Sequence, residues 1–222
     1  MTASERLAVF LEEFEGHRLR VSQEVTLVVI TKFHPASLVR ELFGAGCRDF
    51  GENRHQEARE KVAELQDLDA QWHFVGQIQS KKARQIAEYA TVLHSVDSES
   101  VVQALERREA PAIDGFVQVN LTEDPARGGV SPDRLLPFIE QVEASPGVNL
   151  LGLMAVAPLD EEPSRAFARL AEYSEQVRTI APGATSLSAG MSNDWKEALQ
   201  VGATHLRIGS AITGNRPDPG YR

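Results

Sequence analysis

The sequence predicts an α/β protein: a closed (β/α)8 TIM barrel forming one domain over residues 1–222. Three observations lead there. Strand-like and helix-like hydrophobic patterns alternate along the chain, which implies a parallel sheet. Eight strand-like runs can be counted, the number a closed barrel needs, and 222 residues lie near the lower end of its size range. No Pro/Gly/Ser-rich linker or shift of composition divides the chain. An open doubly wound sheet, which usually has fewer strands, is the competing arrangement.

The elements follow in order. An amphipathic helix (1–20) opens the chain, with Leu7, Phe10, Leu11 and Phe14 at helical spacing behind Thr2 and Ser4. The run VTLVVITK (25–32) is nearly continuous and β-branched, as a strand covered on both faces requires. ASLVRELFGAG (36–46) reads as a helix closed by glycine. Further strands are expected at 48–51, 72–76, 92–97, 116–121, 150–156, 185–191 and 205–212. Helices are expected between them at 56–65, 81–89, 99–108, 133–142, 164–180 and 194–201. No helix is expected after residue 212, and residues 215–222 read as a polar tail. The opening helix is therefore available to cover the side of the barrel that a last helix would occupy.

Composition excludes several classes of function. A single cysteine, Cys47, cannot form an internal disulfide, so a secreted cystine scaffold is excluded and a reducing compartment is favoured. Twenty-three Lys and Arg against 32 Asp and Glu give a net charge of −9, which disfavours non-specific nucleic-acid binding. Acidic residues among the apolar ones at the start rule out a signal peptide or membrane span there, and a soluble cytoplasmic protein is expected. The six histidines show no metal-ligand spacing, and most of them read as surface or satisfied structural residues. G-x-x-x-x-G-K-[ST], H-E-x-x-H, G-x-S-x-G and C-x-x-C are all absent.

In a barrel, chemistry sits where strands end and βα loops begin. The residues there are Lys32, Glu52, Asn53, His73, Gly76, Asp97, Asn120, Met154 and Ser192, followed by Arg207, Gly209 and Ser210 along the last strand. Lys32 closes an apolar run, where desolvation disfavours an ammonium and makes the amine a nucleophile toward carbonyls. A rim lysine that snorkels to water is the plain alternative. SAGMSND (188–194) and RIGS (207–210) place small residues after the seventh strand and at the end of the eighth, where this fold usually cradles phosphate. Gly190 and Gly209 serving tight turns alone would be the simpler explanation. A nucleophilic lysine facing a phosphate cradle suits a phosphorylated aldehyde held as an imine. Pyridoxal 5′-phosphate fits, with Arg207 as partner of the pyridine nitrogen. A Schiff-base aldolase acting on a sugar phosphate needs the same two features, so these residues leave both open.

Six motifs then carry a family resemblance over residues 25–214. They are T-K-F-H-P-A (31–36), F-G-E-N-x-x-Q-E (50–57), W-H-F-V-G-Q-I-Q-S-x-K (72–82), G-L-M-A (152–155), L-S-A-G-M-S-x-D (187–194) and R-I-G-S-A-I-x-G (207–214). On these the chain resembles the pyridoxal phosphate homeostasis proteins, the YggS/PROSC family. The resemblance implies a barrel like the N-terminal domain of alanine racemase, the so-called fold type III. It implies that Lys32 holds pyridoxal phosphate as a Schiff base, that Arg207 faces the pyridine nitrogen, and that Asn53 lies near the ring and its 3-hydroxyl. Ser192, Gly209 and Ser210 fall on the phosphate site, and Met191 of the same motif is counted with the cofactor-binding residues.

The resemblance further implies a role in vitamin B6 balance without established turnover, with pyridoxal-phosphate-dependent apoenzymes as partners. A monomer is expected. An amino-acid racemase is the enzymatic rival; it would need a second acid/base group on the opposite face of the substrate. The chain departs from the family pattern at His34 and Arg54, where lysine and tyrosine are usual, and at Arg127-Gly128-Gly129.

Overall fold

Eight parallel strands close on themselves in the computed structural model, which describes residues 1–215. The expected polar tail, apart from its first residue, lies outside the described residues. The strands are β1 Thr26–Ile30, β2 Asp49–Glu52, β3 Gln71–Phe74, β4 Val92–Val96, β5 Ile113–Gln118, β6 Val148–Met154, β7 Ser186–Ser188 and β8 His205–Ile208. They neighbour one another in sequence order, and β8 returns to β1 in the register Thr26↔His205 to Val29↔Ile208. Closure leaves no unpaired edge. The expected barrel is therefore the one found.

The helices are α1 Ala3–Arg18, α2 Ala36–Gly44, α3 His55–Glu64, α4 Ser80–Ile86, α5 Glu99–Glu106, α6 Pro132–Glu143, α7 Pro163–Val177, α8 Trp195–Gln200 and α9 Ser210–Thr213, with a 3-10 turn at Pro125–Arg127. Their apolar faces meet the outward side chains of the strands. Val39, Leu42, Phe50, Leu93, Val117, Phe167, Leu206 and Ile208 belong to that continuous core. A separate small cluster of Val92, Phe116 and Met154 packs beside the rings of His94 and His205.

The first helix behaves as its sequence suggests. Thr2 and Glu5 form a capping box, with the Glu5 N–H donating to Thr2 Oγ1 at 3.1 Å and the Thr2 N–H to Glu5 Oε2 at 2.8 Å. Phe10 and Phe14 pack on Trp195 of α8, with ring centroids 5.3 and 6.0 Å apart. Arg6 donates from Nε to the Ile212 carbonyl (2.7 Å) and from Nη2 to the Thr213 carbonyl (3.0 Å). These carbonyls lie at the end of α9, so α1 both covers the outside of the barrel and secures its last turn.

Of the boundaries that differ from the expected ones, three have a cause visible in the local sequence. β5 begins at Ile113 rather than 116, because Asp114 and Gly115 interrupt the apolar run although both are in the ladder. Asp114 there accepts from Asn149 Nδ2 of β6 at 2.6 Å. β7 stops at Ser188, short of the expected 191, before the chain turns at Gly190 with φ +88°. A Cβ at Gly190 would lie 2.8 Å from that of Ala198. β8 ends at Ile208, so Gly209 and Ser210 follow the strand instead of lying along it. Gly209 (φ −106°, ψ −100°) turns the backbone out of the extended region, and its carbonyl accepts from the Ile212 and Thr213 amides, both at 2.9 Å. A short helix therefore stands where the apolar letters suggested more strand.

Phe10→Ala removes a ring in contact with both Phe14 and Trp195. Truncation of a buried phenylalanine costs about 3–5 kcal/mol. The urea unfolding midpoint should fall by the corresponding amount. A loss below about 0.5 kcal/mol, that of an ordinary surface substitution, would show that α1 is not integral to the barrel.

Candidate functional site

A cavity of about 710 Å³ opens at the C-terminal ends of the strands. All seven residues singled out from the sequence line it: Lys32 after β1, Asn53 after β2, Met191 and Ser192 after β7, Arg207 on β8, and Gly209 and Ser210 beyond it. Among the other strand-end residues, Met154 also lines it, whereas Asp97 and Asn120 face a separate cleft of about 520 Å³. His73 lies within β3 and is buried away from the cavity. The loop after β6 adds Val156, Pro158, Leu159, Glu161 and Glu162, which the sequence did not single out. Their only signal was proximity to the end of a strand. Val156, Leu159 and Met191 leave the rim apolar and exposed.

Lys32 is half-buried, and its ammonium makes no hydrogen bond or ion pair with the described residues. Its backbone, in contrast, is held from several sides. Thr31 is fully buried and donates from Oγ1 to Glu52 Oε1 at 2.7 Å. Lys61 of α3 donates to the Thr31 carbonyl at 2.8 Å and pairs with Glu52 and, at 3.2 Å, with Glu57. Phe33 has φ +67°, an uncommon conformation for a non-glycine residue, and its N–H donates to Glu57. The Arg54 guanidinium sits over the Phe33 ring at 4.8 Å, so one departure from the family pattern braces this corner. His34, the other, is buried, and burial lowers its pKa. Burial pushes the Glu52 carboxyl upward, and Lys61 and Thr31 pull it back.

The opposite wall is built on β7 and β8. Arg207 is buried, donating from Nη1 to Ser188 Oγ (2.6 Å) and from Nη2 to the Ala155 carbonyl (2.9 Å). Burial lowers its pKa to about 10, opposed by Asp194. A guanidinium carries five N–H donors, so others are uncommitted where Arg207 lines the cavity. Ser192 Oγ accepts from the Ala211 amide at 3.3 Å, tying the loop after β7 to the turn after β8. Asp194 accepts the Met191 N–H at 2.5 Å, and burial raises its carboxyl. Asn53 Oδ1 is buried and has no hydrogen-bond partner among the described residues. Such an atom costs free energy unless a ligand satisfies it. The arrangement can take an anion at the β7–β8 loops, an acceptor at Arg207 and an electrophile at Lys32.

Lys61→Met would leave Glu52 buried without its cation, a loss that typically costs about 3–5 kcal/mol. Removing Lys61 raises the folded-state pKa of Glu52 further above its unfolded value. The unfolded chain then ionises first as pH rises, so the destabilisation is smallest in acid and grows through the folded-state pKa. Urea titrations at about pH 5 and pH 8 (either side of a raised carboxylate pKa) should show the larger loss at the higher pH, with recovery in Lys61→Met/Glu52→Gln. Equal losses at both pH values would show that charge is not what holds this corner.

Comparison with known proteins places these features. The model of the alanine racemase N-terminal domain family matches residues 16–217. The pyridoxal phosphate homeostasis protein of Mycobacterium tuberculosis is 43% identical over 215 residues, covering 87% of this chain and 83% of that protein. The protein of the same name from Pseudomonas aeruginosa is 42% identical over 195 residues, covering 86% and 85%. PipY of Synechococcus elongatus PCC7942, solved with PLP bound, superposes with a TM-score of 0.85 at 36% identity, covering 96% of this chain and 100% of that one. Alanine racemase from Corynebacterium glutamicum shares the fold at 15% identity, with a TM-score of 0.73 over 89% of this chain and 58% of that enzyme.

Proposed function

The chain belongs to the alanine racemase N-terminal domain family and, within it, to the pyridoxal phosphate homeostasis proteins, and from that premise we propose that it binds pyridoxal 5′-phosphate reversibly as a Schiff base on Lys32. In this reading it is a cytoplasmic, monomeric holder of the cofactor, serving vitamin B6 balance and supplying pyridoxal-phosphate-dependent apoenzymes. No helix among the described residues is long and apolar enough to cross a membrane.

The observation that carries the proposal is the convergence in one cavity of an unpaired lysine, a buried arginine with uncommitted donors and an orphaned asparagine oxygen. The residues present fit the cofactor. Asn53 Oδ1 lacks a partner that a ring hydroxyl can supply. Gly209 leaves space, since a Cβ there would meet only Ile30, at 3.7 Å. When bound, the cofactor supplies an aldehyde to condense with an amine and a pyridine ring that accepts electron density. Lys32 contributes the amine, Ser192, Gly209 and Ser210 the donors for the phosphate, Met191 an apolar wall, and Arg207 a donor toward the ring nitrogen.

The same residues argue for holding rather than turnover. Arg207, its pKa about 10, stays a donor at neutral pH and keeps an acceptor nitrogen unprotonated. Racemisation needs an acid/base group on each face of the substrate, and one positioned group typically contributes about 10²–10⁴-fold. No tyrosine among the described residues lines the cavity. Tyr89 lies in a turn after α4 rather than in a helix, bonded to His55, and Tyr173 lies in α7; Tyr221 is outside the described residues. Of the three cavity carboxylates, Glu161 is paired with Arg169, Asp194 accepts the Met191 amide, and Glu162 is exposed at the N-cap of α7.

Two experiments test the proposal. Borohydride reduction of the protein loaded with pyridoxal phosphate should fix the cofactor mass on the peptide containing Lys32, and Lys32→Ala should lose the visible absorption. Cofactor found on Lys81 or Lys82 would overturn the assignment. Incubation of the loaded protein with L-alanine in deuterium oxide should give at most slow α-exchange without loss of chirality. Racemisation within the usual enzyme range of about 1–10³ per second would make it a racemase.

A further inference from the structure

The barrel interior beneath Arg207 carries polar groups that the proposed binding of cofactor does not use. His73 of β3 and His94 of β4 are buried, with rings 5.1 Å apart, and His205 of β8 lies beside both. His94 and His73 join Arg207 in a single line. Arg207 Nη1 meets Ser188 Oγ at 2.6 Å, and Ser188 Oγ meets His94 Nδ1 at 2.7 Å. His94 Nε2 meets His73 Nδ1 at 2.9 Å, and His73 Nε2 meets Asp49 Oδ1 at 3.0 Å. Asp49 is the first residue of β2, at the far end of the barrel, and its side chain is 28% exposed.

With both imidazoles neutral, the two ends fix the direction of every bond between them. A guanidinium only donates and a carboxylate only accepts. Ser188 therefore accepts from Arg207 and gives its own hydrogen to His94 Nδ1. His94 then donates from Nε2 to His73 Nδ1, and His73 donates from Nε2 to Asp49. Both imidazoles then carry hydrogen on Nε2. The reverse orientation would set an imidazole lone pair against the Asp49 carboxylate and leave the Ser188 hydroxyl hydrogen without its acceptor. Burial holds the His94 pKa well below its ordinary value, in keeping with a neutral ring there.

We propose that Asp49, His73, His94 and Ser188 are positioning residues for Arg207: their directed line of hydrogen bonds holds the guanidinium by its inner edge so that its other donors face the ring nitrogen of a bound pyridine ligand. This inference rests on the pyridoxal phosphate reading of the cavity. Successive hydrogen bonds in a low-dielectric interior polarise one another, so residue 49 at one end of the barrel influences binding at the other without touching the ligand.

The test compares two ligands, pyridoxal 5′-phosphate and its carbocyclic analogue with CH in place of the ring nitrogen. The unsubstituted protein should prefer the first by about tenfold or more, the scale of one hydrogen bond to a charged group. Ser188→Ala should remove most of that preference while binding the analogue nearly as before. Asp49→Ala should narrow it, and Asp49→Asn, which returns an acceptor to His73, should restore it. A purely structural role would weaken both ligands equally. Equal affinity of the unsubstituted protein for the two ligands would overturn the placing of Arg207 at the ring nitrogen, and the line with it. A preference that survives unchanged in folded Ser188→Ala and Asp49→Ala would overturn the line alone. Should Ser188→Ala fail to fold, the partly exposed Asp49 substitutions decide the matter.

Discussion

A guanidinium enclosed by a barrel must be solvated by the protein, and much of the site's architecture answers that demand. Arg207 is 5% exposed, and burial pulls its pKa down without approaching neutrality. An unpaired charge in such a place would cost several kcal/mol. The Ala155 carbonyl and the Ser188 hydroxyl supply the compensation, one from the residue after β6 and one from the end of β7. The backbone agrees with the side chain. The Ala155 amide donates to the Ser188 carbonyl at 3.1 Å, and the Arg207 amide donates to Gly190 at 2.9 Å. Gly190 in turn starts the loop that carries Met191 and Ser192 to the cavity.

The second charged cluster works by contrast. Lys61 reaches the backbone next to Lys32, yet among the described residues only Lys61 is bound up in ion pairs. Lys61 engages Glu52, Glu57 and the Thr31 carbonyl, and its side chain is 4% exposed. Because these carboxylates are committed to Lys61, the Lys32 amine faces the cavity unpaired among the described residues. The same carboxylates hold the residues on either side of it, through the Thr31 hydroxyl and the Phe33 amide. Phe33 occupies a left-handed conformation that ordinarily costs of order 1–3 kcal/mol. A fixed backbone leaves little main-chain conformational entropy to lose when a ligand is captured.

The order of elements was legible because alternating β and α periodicities survive even where individual boundaries do not. Errors arose where composition and conformation part company: Asp114 and Gly115 interrupt the apolar run of a genuine strand, and Ala211 and Ile212 extend the pattern of a strand already ended by Gly209. The cavity residues were legible because strand ends are few and six motifs fall on them. The histidines were not. The sequence groups most histidines together as surface or satisfied structural residues, and His73 and His94, from two different strands, are of the second kind, buried and hydrogen-bonded. What the chain order hides is that they are satisfied partly by one another, because inward positions become neighbours only on closure. Lys61 was hidden for a related reason: in the charged stretch EAREKVAE it resembles any solvent-facing helical lysine.

Closure also explains why the site lies where it does. Lys32 follows the first strand, and Arg207, Gly209 and Ser210 belong to the last strand or follow it, more than 170 residues apart in sequence. The β1–β8 ladder brings them together, with Val28 opposite Arg207 and Val29 opposite Ile208. An open sheet of the same strands would carry the two halves of the cavity on opposite edges. The seam is secured from outside by α1, whose Arg6 holds the carbonyls at the end of α9 while its phenylalanines pack on Trp195. A ligand attached to Lys32 and anchored by the turn after β8 would span that seam. Binding only the closed form, it would stabilise the fold by RT ln(1 + [L]/Kd). Cofactor capture and barrel closure would then reinforce each other through the same pair of strands.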